Sequence, residues 1–205
     1  MAFLTDADRE RVRGAIAAAE RRTVGEFVAV VAPRADHYLD VALFFAALVG
    51  LAVALLEPWW GGWGRPSALA AGLATDVLLT GLLCLAPRLR VALTPDPIRR
   101  ARCRALARRS FVSRDVARTE ARTGVLLFVA VDERWVEVIA DAGINAQVAP
   151  DAWHGVVAGF VARVHERRVA DGFVEAATAV GALLATHFPR PADDANELPD
   201  HLIEL

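Results

Sequence analysis

The sequence predicts a mixed α/β domain that is interrupted by two membrane-spanning helices. Hydrophobic residues make up 55% of the 205 residues although 23% of the chain is charged, so the apolar residues must be concentrated in part of the chain. Two long apolar runs lie between residues 38 and 87. On both sides of these runs, apolar segments with strand character alternate with helical patterns, as in α/β domains.

Composition excludes two other classes of protein. A high apolar content combined with a net charge of only −2 is the opposite of what disordered chains show. Two cysteines among 205 residues are too few to build a disulfide-stabilised scaffold. A folded core is therefore expected.

Residues 1–36 are predicted to form a helix and then a strand. Thr5 followed by Asp8 is similar to a capping box at the start of a helix, and apolar side chains then recur at helical spacing. The unbroken apolar segment Phe27–Ala32 is typical of a strand that is buried on both faces at the centre of a sheet.

A transmembrane hairpin is predicted for residues 38–87. Val41–Leu56 contains no charge, and Pro66–Pro87 contains one, Asp76. With flanking residues included, each run is long enough for a hydrocarbon core of roughly 30 Å. The connector contains glycine, proline and three tryptophans, as expected of a turn at a membrane surface. The alternative is a helical hairpin buried in a soluble protein, but so small a chain offers little to bury two such runs.

The distribution of arginine predicts the orientation of the hairpin. Residues 88–122 contain 11 arginines and three acidic residues, whereas the connector contains one residue of each sign. Since arginine-rich segments stay on the cytoplasmic side, we expect both termini in the cytoplasm and two spans in the inner (cytoplasmic) membrane. Nucleic acid is not an expected partner, because topology and anionic lipid headgroups explain the arginines more simply.

Asp76 lies near the middle of the second predicted span. A carboxylate at this depth costs roughly 2.5–3.5 kcal/mol on insertion scales. It belongs either to a proton or ion relay, or to a polar contact with the other helix or with a second copy of the chain. The first span offers no polar partner for a relay, which favours the second interpretation.

Residues 88–189 are predicted to form the rest of the α/β domain. Thr94–Pro97 opens an arginine-rich helix, since proline is tolerated in a first turn. Gly124–Val131 and Trp135–Asp141 are predicted to be two strands of an antiparallel hairpin. Two amphipathic helices follow.

The strand Phe27–Ala32 cannot bury both faces against the first helix alone, so it must pair with the strands beyond the membrane hairpin. The hairpin is then an insertion into one domain. The predicted division of the chain is 1–36 and 88–189 for the domain, 38–87 for the hairpin, and 190–205 for an acidic tail. The tail either stays in solvent or docks on the arginine-rich helix.

Acidic residues near the strand ends are the candidate site residues. The candidate catalytic residues are Glu26, Asp132 and Asp141, and the candidate metal ligands are Asp132, Glu133, Asp141 and Asn145. Converging oxygen ligands suit calcium, which is the candidate cofactor, although acidic residues are also common in turns for conformational reasons alone. The sequence contains no hydrolase, nucleotide-binding or zinc motif.

Two strand segments resemble the TPM domain family, which includes thylakoid acid phosphatase and photosystem-repair proteins. Glu20–Ala32 is similar to the opening strand of that family, and Arg122–Ile144 is similar to its central pair of strands. The inserted hairpin and Arg190–Leu205 resemble a bacterial, membrane-anchored branch of the family. The resemblance implies an α/β/α sandwich.

The resemblance implies several activities, because members are linked to phosphatase activity, calcium binding, membrane-complex repair and receptor assembly. Phosphatase-like members carry asparagines where this chain has Arg122 and Thr123. Asp132 matches the acidic residue after the central strand. The later glycine–acid element is matched by Gly143, with Asn145 near the acidic position.

We expect an integral membrane protein whose cytoplasmic TPM-like domain is an accessory, assembly or quality-control factor for another membrane complex. Its expected partners are membrane lipid and either another membrane protein or a second copy of itself. The alternative is a phosphatase or other metal-dependent hydrolase of the TPM type. The sequence carries no complete catalytic set, which favours the non-enzymatic role.

Overall fold

The structure is a computed structural model that describes residues 4–60, 65–114, 116, 122–191 and 202–205. Eight helices and four strands occur in the described residues. In chain order they are α1 (Asp6–Glu20), β1 (Glu26–Ala32), α2 (Leu39–Trp60), α3 (Arg65–Leu85), α4 (Pro87–Leu93), α5 (Asp96–Ser113), β2 (Gly124–Ala130), β3 (Trp135–Ala140), α6 (Ala142–Asn145), α7 (Ala152–His165), α8 (Val169–His187) and β4 (Leu202–Glu204).

The chain divides into two compact units. The first unit contains the residues up to Ala35 and those from Arg102 onward, and the second unit is Asp36–Ala101. The first unit holds the sheet and the helices that pack on it. The second unit holds α2, α3 and α4, together with the start of α5.

The first unit is built around a four-stranded mixed sheet in the order β3–β2–β1–β4. β1 runs parallel to both β2 and β4, and β2 is antiparallel to β3. Every residue of β1 and β2 is buried. The prediction that Phe27–Ala32 is a central strand that pairs with a strand beyond the inserted helices is therefore confirmed.

Helices cover both faces of this sheet. Alternate residues of β1 and β2 pack on one side against α1, α7 and α8, and the residues between them pack on the other side against α5. On the first side, the rings of Phe160 and Phe173 meet edge to face with their centroids 4.7 Å apart, which joins α7 to α8. The result is a three-layer mixed α/β arrangement.

Most element predictions agree with the structure, and three elements were missed. The predicted capping box is present, since Asp8 N–H donates to Thr5 Oγ1 and Thr5 N–H donates to Asp8 Oδ2, each at 3.2 Å. The short helices α4 and α6 and the strand β4 were not predicted. The connector between α2 and α3 lies largely outside the described residues, as do residues 192–201 of the acidic tail.

Candidate functional site

In the second unit, α2 and α3 meet through glycine. A Cβ built on Gly50 would lie 2.8 Å from the carbonyl oxygen of Gly72, and a Cβ built on Gly72 would lie 2.6 Å from that of Gly50. The two backbones can therefore approach closely only because both residues lack a side chain. Close approach through small residues is how helices associate where no hydrophobic effect drives them together.

The surface that α2 and α3 turn away from each other is strongly apolar. The large exposed hydrophobic side chains of the two helices are Leu39, Leu43, Phe44, Leu48, Val49, Leu51, Leu55, Leu56 and Trp59 on α2 and Leu69, Leu73, Val77, Leu78, Leu82 and Leu85 on α3. In a water-soluble domain such side chains would form the core. Here the small residues are inside the helix pair and the large apolar residues are outside it.

Three helices among the described residues are long and apolar enough to cross a membrane by length and composition. Their windows are Leu39–Leu56, Pro66–Leu85 and Val169–His187, with mean hydropathies of 2.6, 1.9 and 1.4. Burial separates them, since 22% and 17% of the first two windows are buried but 44% of the third. The third window is α8, which contributes Phe173 and Leu184 to the core beneath the sheet.

Asp76 lies on the side of α3 that faces α2. Its Cβ would be 3.1 Å from a Cβ built on Gly50. The neighbouring Thr75 hydroxyl donates to the carbonyl oxygen of Ala71 at 2.9 Å and so is satisfied within its own helix. The Asp76 side chain thus starts at the helix–helix contact and is partly buried, and its polar contact stays a prediction.

The candidate catalytic acids fall into two groups at opposite ends of the sheet. Glu26 pairs with Gly124 in the β1–β2 register, and Asp141 N–H donates to Gly124 O at 2.9 Å, so Glu26 and Asp141 share one end. Asp132 follows β2 at its other end. Six strand residues lie between the two ends, a distance of roughly 20 Å. Asp132 and Asp141 therefore do not form one catalytic constellation.

Asp141 is buried and its carboxylate holds local structure. Its Oδ1 accepts a hydrogen bond from Ala142 N–H at 2.6 Å, which caps α6, and forms an ion pair with Arg122 NH2 at 3.1 Å. Asn145 donates from Nδ2 to Ala140 O at 2.6 Å. These side chains fasten the end of β3 to α6.

Asp132 and Glu133 anchor the β2–β3 turn to the chain that leaves β1. The Glu133 carboxylate, which is buried, accepts from Ala35 N–H at 2.8 Å. Asp132 Oδ2 lies 3.5 Å from Arg34 Nε, and Asp132 N–H donates to Pro33 O at 3.0 Å. The acidic residues of this turn therefore contact the segment after β1.

Glu20 is a buried acid that the sequence reasoning missed. Its Oε1 accepts from Phe27 N–H at 3.0 Å, so the last residue of α1 holds the start of β1. The available signal was an acidic residue at a helix end close before an apolar strand. Glu26, also buried, donates its N–H to Thr123 O at 3.1 Å.

No group of three or more His, Cys, Asp or Glu side chains within the described parts of the chain is placed to hold a metal ion. The metal candidates Asp132 and Glu133 lie at one end of the sheet, and Asp141 and Asn145 lie at the other. Calcium binding stays a prediction, and the structure brings only pairs of its four candidate ligands together.

The end of the chain forms an edge strand of the sheet. Glu204 of β4 forms a two-point ion pair with Arg9 of α1, in which Arg9 Nε donates to Oε1 at 2.9 Å and Arg9 NH2 donates to Oε2 at 3.0 Å. Leu205 N–H donates to Val31 O at 2.9 Å. The described end of the tail thus lies on β1 and α1, and Ile203 packs against the apolar cluster that contains Cys103 and Ala107 of the arginine-rich α5. Docking of the rest of the tail stays a prediction.

These features define an α/β domain with helices on both faces of a mixed sheet and an inserted pair of apolar helices. Residues 87–183 match the family model of the TPM domain, so the chain carries a TPM domain, and the predicted resemblance is confirmed. Two of the segments that suggested it, Glu20–Ala32 and Arg190–Leu205, lie outside the matched residues.

The fold is also similar to a solved structure. The NMR structure of the BA42 protein from the psychrophilic bacterium Bizionia argentinensis matches with a TM-score of 0.64 over 99% of this chain and 96% of that chain, at 19% sequence identity. At this identity the likeness concerns the fold alone. No curated protein matches the sequence.

Proposed function

We propose that the protein is an integral membrane protein with two spans, α2 and α3, whose TPM domain lies in the cytoplasm and supports the assembly or maintenance of another membrane complex. One observation carries the membrane part of the proposal: α2 and α3 contact each other through glycine and direct large apolar side chains outward. This distribution is favourable in lipid and unfavourable in water.

The lipid environment explains this surface better than an aqueous one. Soluble monomers rarely expose a continuous apolar patch larger than a few hundred Å², and here the exposed residues continue over the length of two helices of 22 and 21 residues. Each helix is about 30 Å long at 1.5 Å per residue, which equals the hydrocarbon thickness of a bilayer. α8 is not a third span in this proposal, because its buried side chains belong to the core of the TPM domain.

Arginine supports a cytoplasmic position for the TPM domain. The chain that leaves α3 is arginine-rich through α4 and α5, and such segments remain on the cytoplasmic side. With two spans, the chain before α2 lies on the same side. A bacterial inner membrane is the location that this topology favours.

The contacts of the buried acidic residues favour a supporting role over catalysis. Asp141, Glu133 and Glu20 accept hydrogen bonds from backbone N–H groups, and the candidate catalytic set is divided between the two ends of the sheet. A membrane anchor keeps such a domain next to other membrane proteins, which raises their effective concentration.

Topology can be tested with single cysteines. In a chain with Cys84→Ser and Cys103→Ala, one cysteine is introduced at Trp59, which lies in the last turn of α2 and is 86% exposed, or at Arg13 of α1, which is also exposed. We expect an impermeant thiol reagent applied to intact cells to label Trp59→Cys, and to label Arg13→Cys only after the inner membrane is permeabilised. Equal labelling of both variants in intact cells would contradict the topology.

The supporting role is tested by crosslinking in native membranes followed by mass spectrometry. We expect one reproducible foreign membrane protein in near-stoichiometric amount. Crosslinks only between copies of the chain, together with turnover of a phosphate ester that depends on Asp132, would contradict the supporting role and favour the hydrolase alternative.

A further inference from the structure

β3 is an edge strand whose outer side pairs with no other strand in the described parts of the chain. It is six residues long, contains neither proline nor glycine, and has one charged residue, Glu137. Natural edge strands are usually shortened, bulged, covered or made strongly charged so that they do not pair with other chains. At the opposite edge of the sheet, β4 pairs with β1 and covers its backbone groups. The outer backbone groups of β3 are not covered in this way by a described strand.

The register shows which backbone groups β3 presents. Asp141 N–H donates to Gly124 O, and hydrogen-bonded pairs alternate along an antiparallel ladder. This alternation turns the N–H and C=O groups of Val136, Val138 and Ala140 to the outer side. Ala140 O already accepts from Asn145, so Val136 and Val138 present the groups that an added strand would use.

A cavity of about 420 Å³ follows this edge. Its wall includes Glu137 and Ile139, which point to the α5 side of the sheet, and Val138 and Ala140, which point to the α7 side. Because side chains of both faces contribute, the cavity lies along the edge itself and not on one face. Its volume is within the range of ligand-binding pockets.

Trp153 gives independent support for a ligand in the cavity at the β3 edge. It lines the same cavity, is 8% exposed, and its indole Nε1–H is buried without an acceptor in the described parts of the chain. Buried donors are nearly always hydrogen-bonded, and an exception calls for an explanation. An occupant that supplies a carboxylate or carbonyl oxygen would satisfy this donor.

The charge around the edge is positive. Arg108 lines the cavity, and Arg134 and Arg167 line a neighbouring cavity of about 430 Å³ that continues past Trp135. None of these three arginines has an ion-pair partner within the described ranges. Among the described residues that line the two cavities, the one carboxylate is that of Glu137, which accepts from Trp135 Nε1–H at 3.1 Å. The complementary occupant is acidic.

We infer that the outer edge of β3 binds an extended acidic segment of a partner protein, which adds a fifth strand to the sheet. Backbone hydrogen bonds between the partner and Val136 and Val138 supply affinity. Ion pairs between acidic side chains of the partner and Arg108, Arg134 and Arg167 supply selectivity. This inference names the chemistry of the partner, and it rests on the proposed supporting role for its biological meaning.

The described residues on either side of this chain's acidic segment lie away from β3. Before that segment, Pro189 forms a bridge with Thr23, and after it β4 pairs with β1. Both of its ends are therefore attached on the β1 side of the sheet, with β2 between them and β3. A segment of another protein fits the β3 edge.

The test uses the full chain in nanodiscs of phosphatidylcholine and a fluorescein-labelled peptide of alternating Glu and Val. We expect the peptide to bind, with a rise in fluorescence anisotropy and slower hydrogen exchange of the Val136 and Val138 amides. The same peptide with N-methyl groups on alternate residues keeps its charge but cannot add as a strand, and we expect it to bind about tenfold more weakly or worse.

Matched variants locate the site. We expect Arg108→Glu to weaken peptide binding about tenfold, and Arg109→Glu, its exposed neighbour outside the cavity wall, to leave binding unchanged. Trp153→Phe keeps an aromatic ring and removes the N–H donor, and we expect a several-fold loss. Unchanged melting temperatures of these variants show that the fold is kept.

Several results would overturn the inference: no binding at about 1 mM peptide, equal binding of the N-methylated peptide, or equal losses in Arg108→Glu and Arg109→Glu. Flotation of the chain with vesicles tests the membrane proposal independently of peptide binding. A chain that floats but does not bind the peptide contradicts the β3 inference alone, and a chain that binds the peptide but does not float contradicts the membrane proposal alone.

Discussion

Gly50 and Gly72 lie against each other across α2 and α3, so that a Cβ on either residue would come within 3 Å of the carbonyl oxygen of the other. Both helices pass this point with no side chain between their backbones. The contact places Asp76 beside Gly50, at the same level of the helix pair. Several expectations follow from this contact and from the rest of the fold, each with its own measurement.

Gly72→Val should separate the two helices. The added side chain would overlap Gly50 O and the Cβ of Ala54, and overpacking of this kind costs about 1–3 kcal/mol. The free energy of unfolding of the full chain in bicelles measures the effect. Gly81→Val is the control, because a Cβ on Gly81 meets nothing within 4 Å; equal losses in the two variants would show that the Gly50–Gly72 contact does not hold the pair.

Leu78→Arg should prevent stable membrane insertion. Leu78 lies in α3 and is 74% exposed, so in water an arginine there would be within about 0.5 kcal/mol of neutral. In a bilayer, an arginine near the middle of a span costs roughly 2.5–3.5 kcal/mol. The measurement is the fraction of chain that floats with vesicles. Val112→Arg, at a residue of α5 that is 68% exposed, is the control, and identical flotation of both variants would contradict a lipid-facing α3.

Leu202→Ala should destabilise the sheet through its edge strand. Leu202 pairs with Ala29 of β1 and is 8% exposed in the main core, so truncation should cost about 2–3 kcal/mol. Leu205→Ala is the matched control, because Leu205 is half exposed and its loss should stay within about 0.5 kcal/mol. Chemical unfolding followed by circular dichroism compares the two; equal stabilities would mean that β4 does not stabilise the sheet.

Asp141→Ala should be more harmful than Asp141→Asn. The alanine removes both the cap of α6 and the ion pair with Arg122, which should cost about 1–2 kcal/mol. Asparagine is also a good capping residue, so the second variant should retain much of the stability. Thermal unfolding of both variants measures this order. Equal losses in the two variants would show that the Asp141 charge, and not its capping role, stabilises this part of the fold.

Stability at acidic pH should depend on Asp171. Hydrogen bonds from Arg11 and then from Arg168 lower the pKa of the Asp171 carboxyl below its ordinary value, and Arg11 NH2 lies 2.5 Å from Asp171 Oδ1. A lowered pKa in the folded state means that the stabilisation is present above the unfolded pKa, near pH 4, and is lost as pH falls through the folded pKa.

The measurement is the melting temperature of the full chain between neutral and strongly acidic pH. Asp171→Asn should melt below the unaltered chain at pH 7, and the two curves should converge at acidic pH. Glu10→Gln removes the same charge from an exposed position of α1 and should show no such convergence. A difference for Asp171→Asn that is independent of pH would point to packing and not to the carboxylate charge.

The strands and long helices could be predicted because their signals are local. The continuous apolar segment of β1 and the alternation in β3 depend only on which residues follow one another, and both agree with the structure. β4 could not be predicted in this way. It is three residues long and pairs with a strand some 170 residues earlier in the chain, so no local pattern marks it.

The candidate acids illustrate the limit of sequence reasoning about a site. Asp132 and Asp141 are nine residues apart in the chain and both follow strands. Because β2 and β3 are antiparallel, residues after successive strands lie at opposite ends of the sheet, and the predicted hairpin already implied this separation. Glu20 and Trp153 became apparent only when their burial and their hydrogen-bonding state were known.

The sequence by itself determined the apolar helix pair, the arginine-rich chain after it and the order of most elements, since composition and periodicity act over neighbouring residues. The tertiary structure decided what those elements face. It placed Gly50 against Gly72, closed one edge of the sheet with Leu202–Glu204 and, among the described residues, left the outer edge of β3 without a partner strand. These are contacts between residues far apart in the chain, and their energies depend on packing and pairing that no local segment contains.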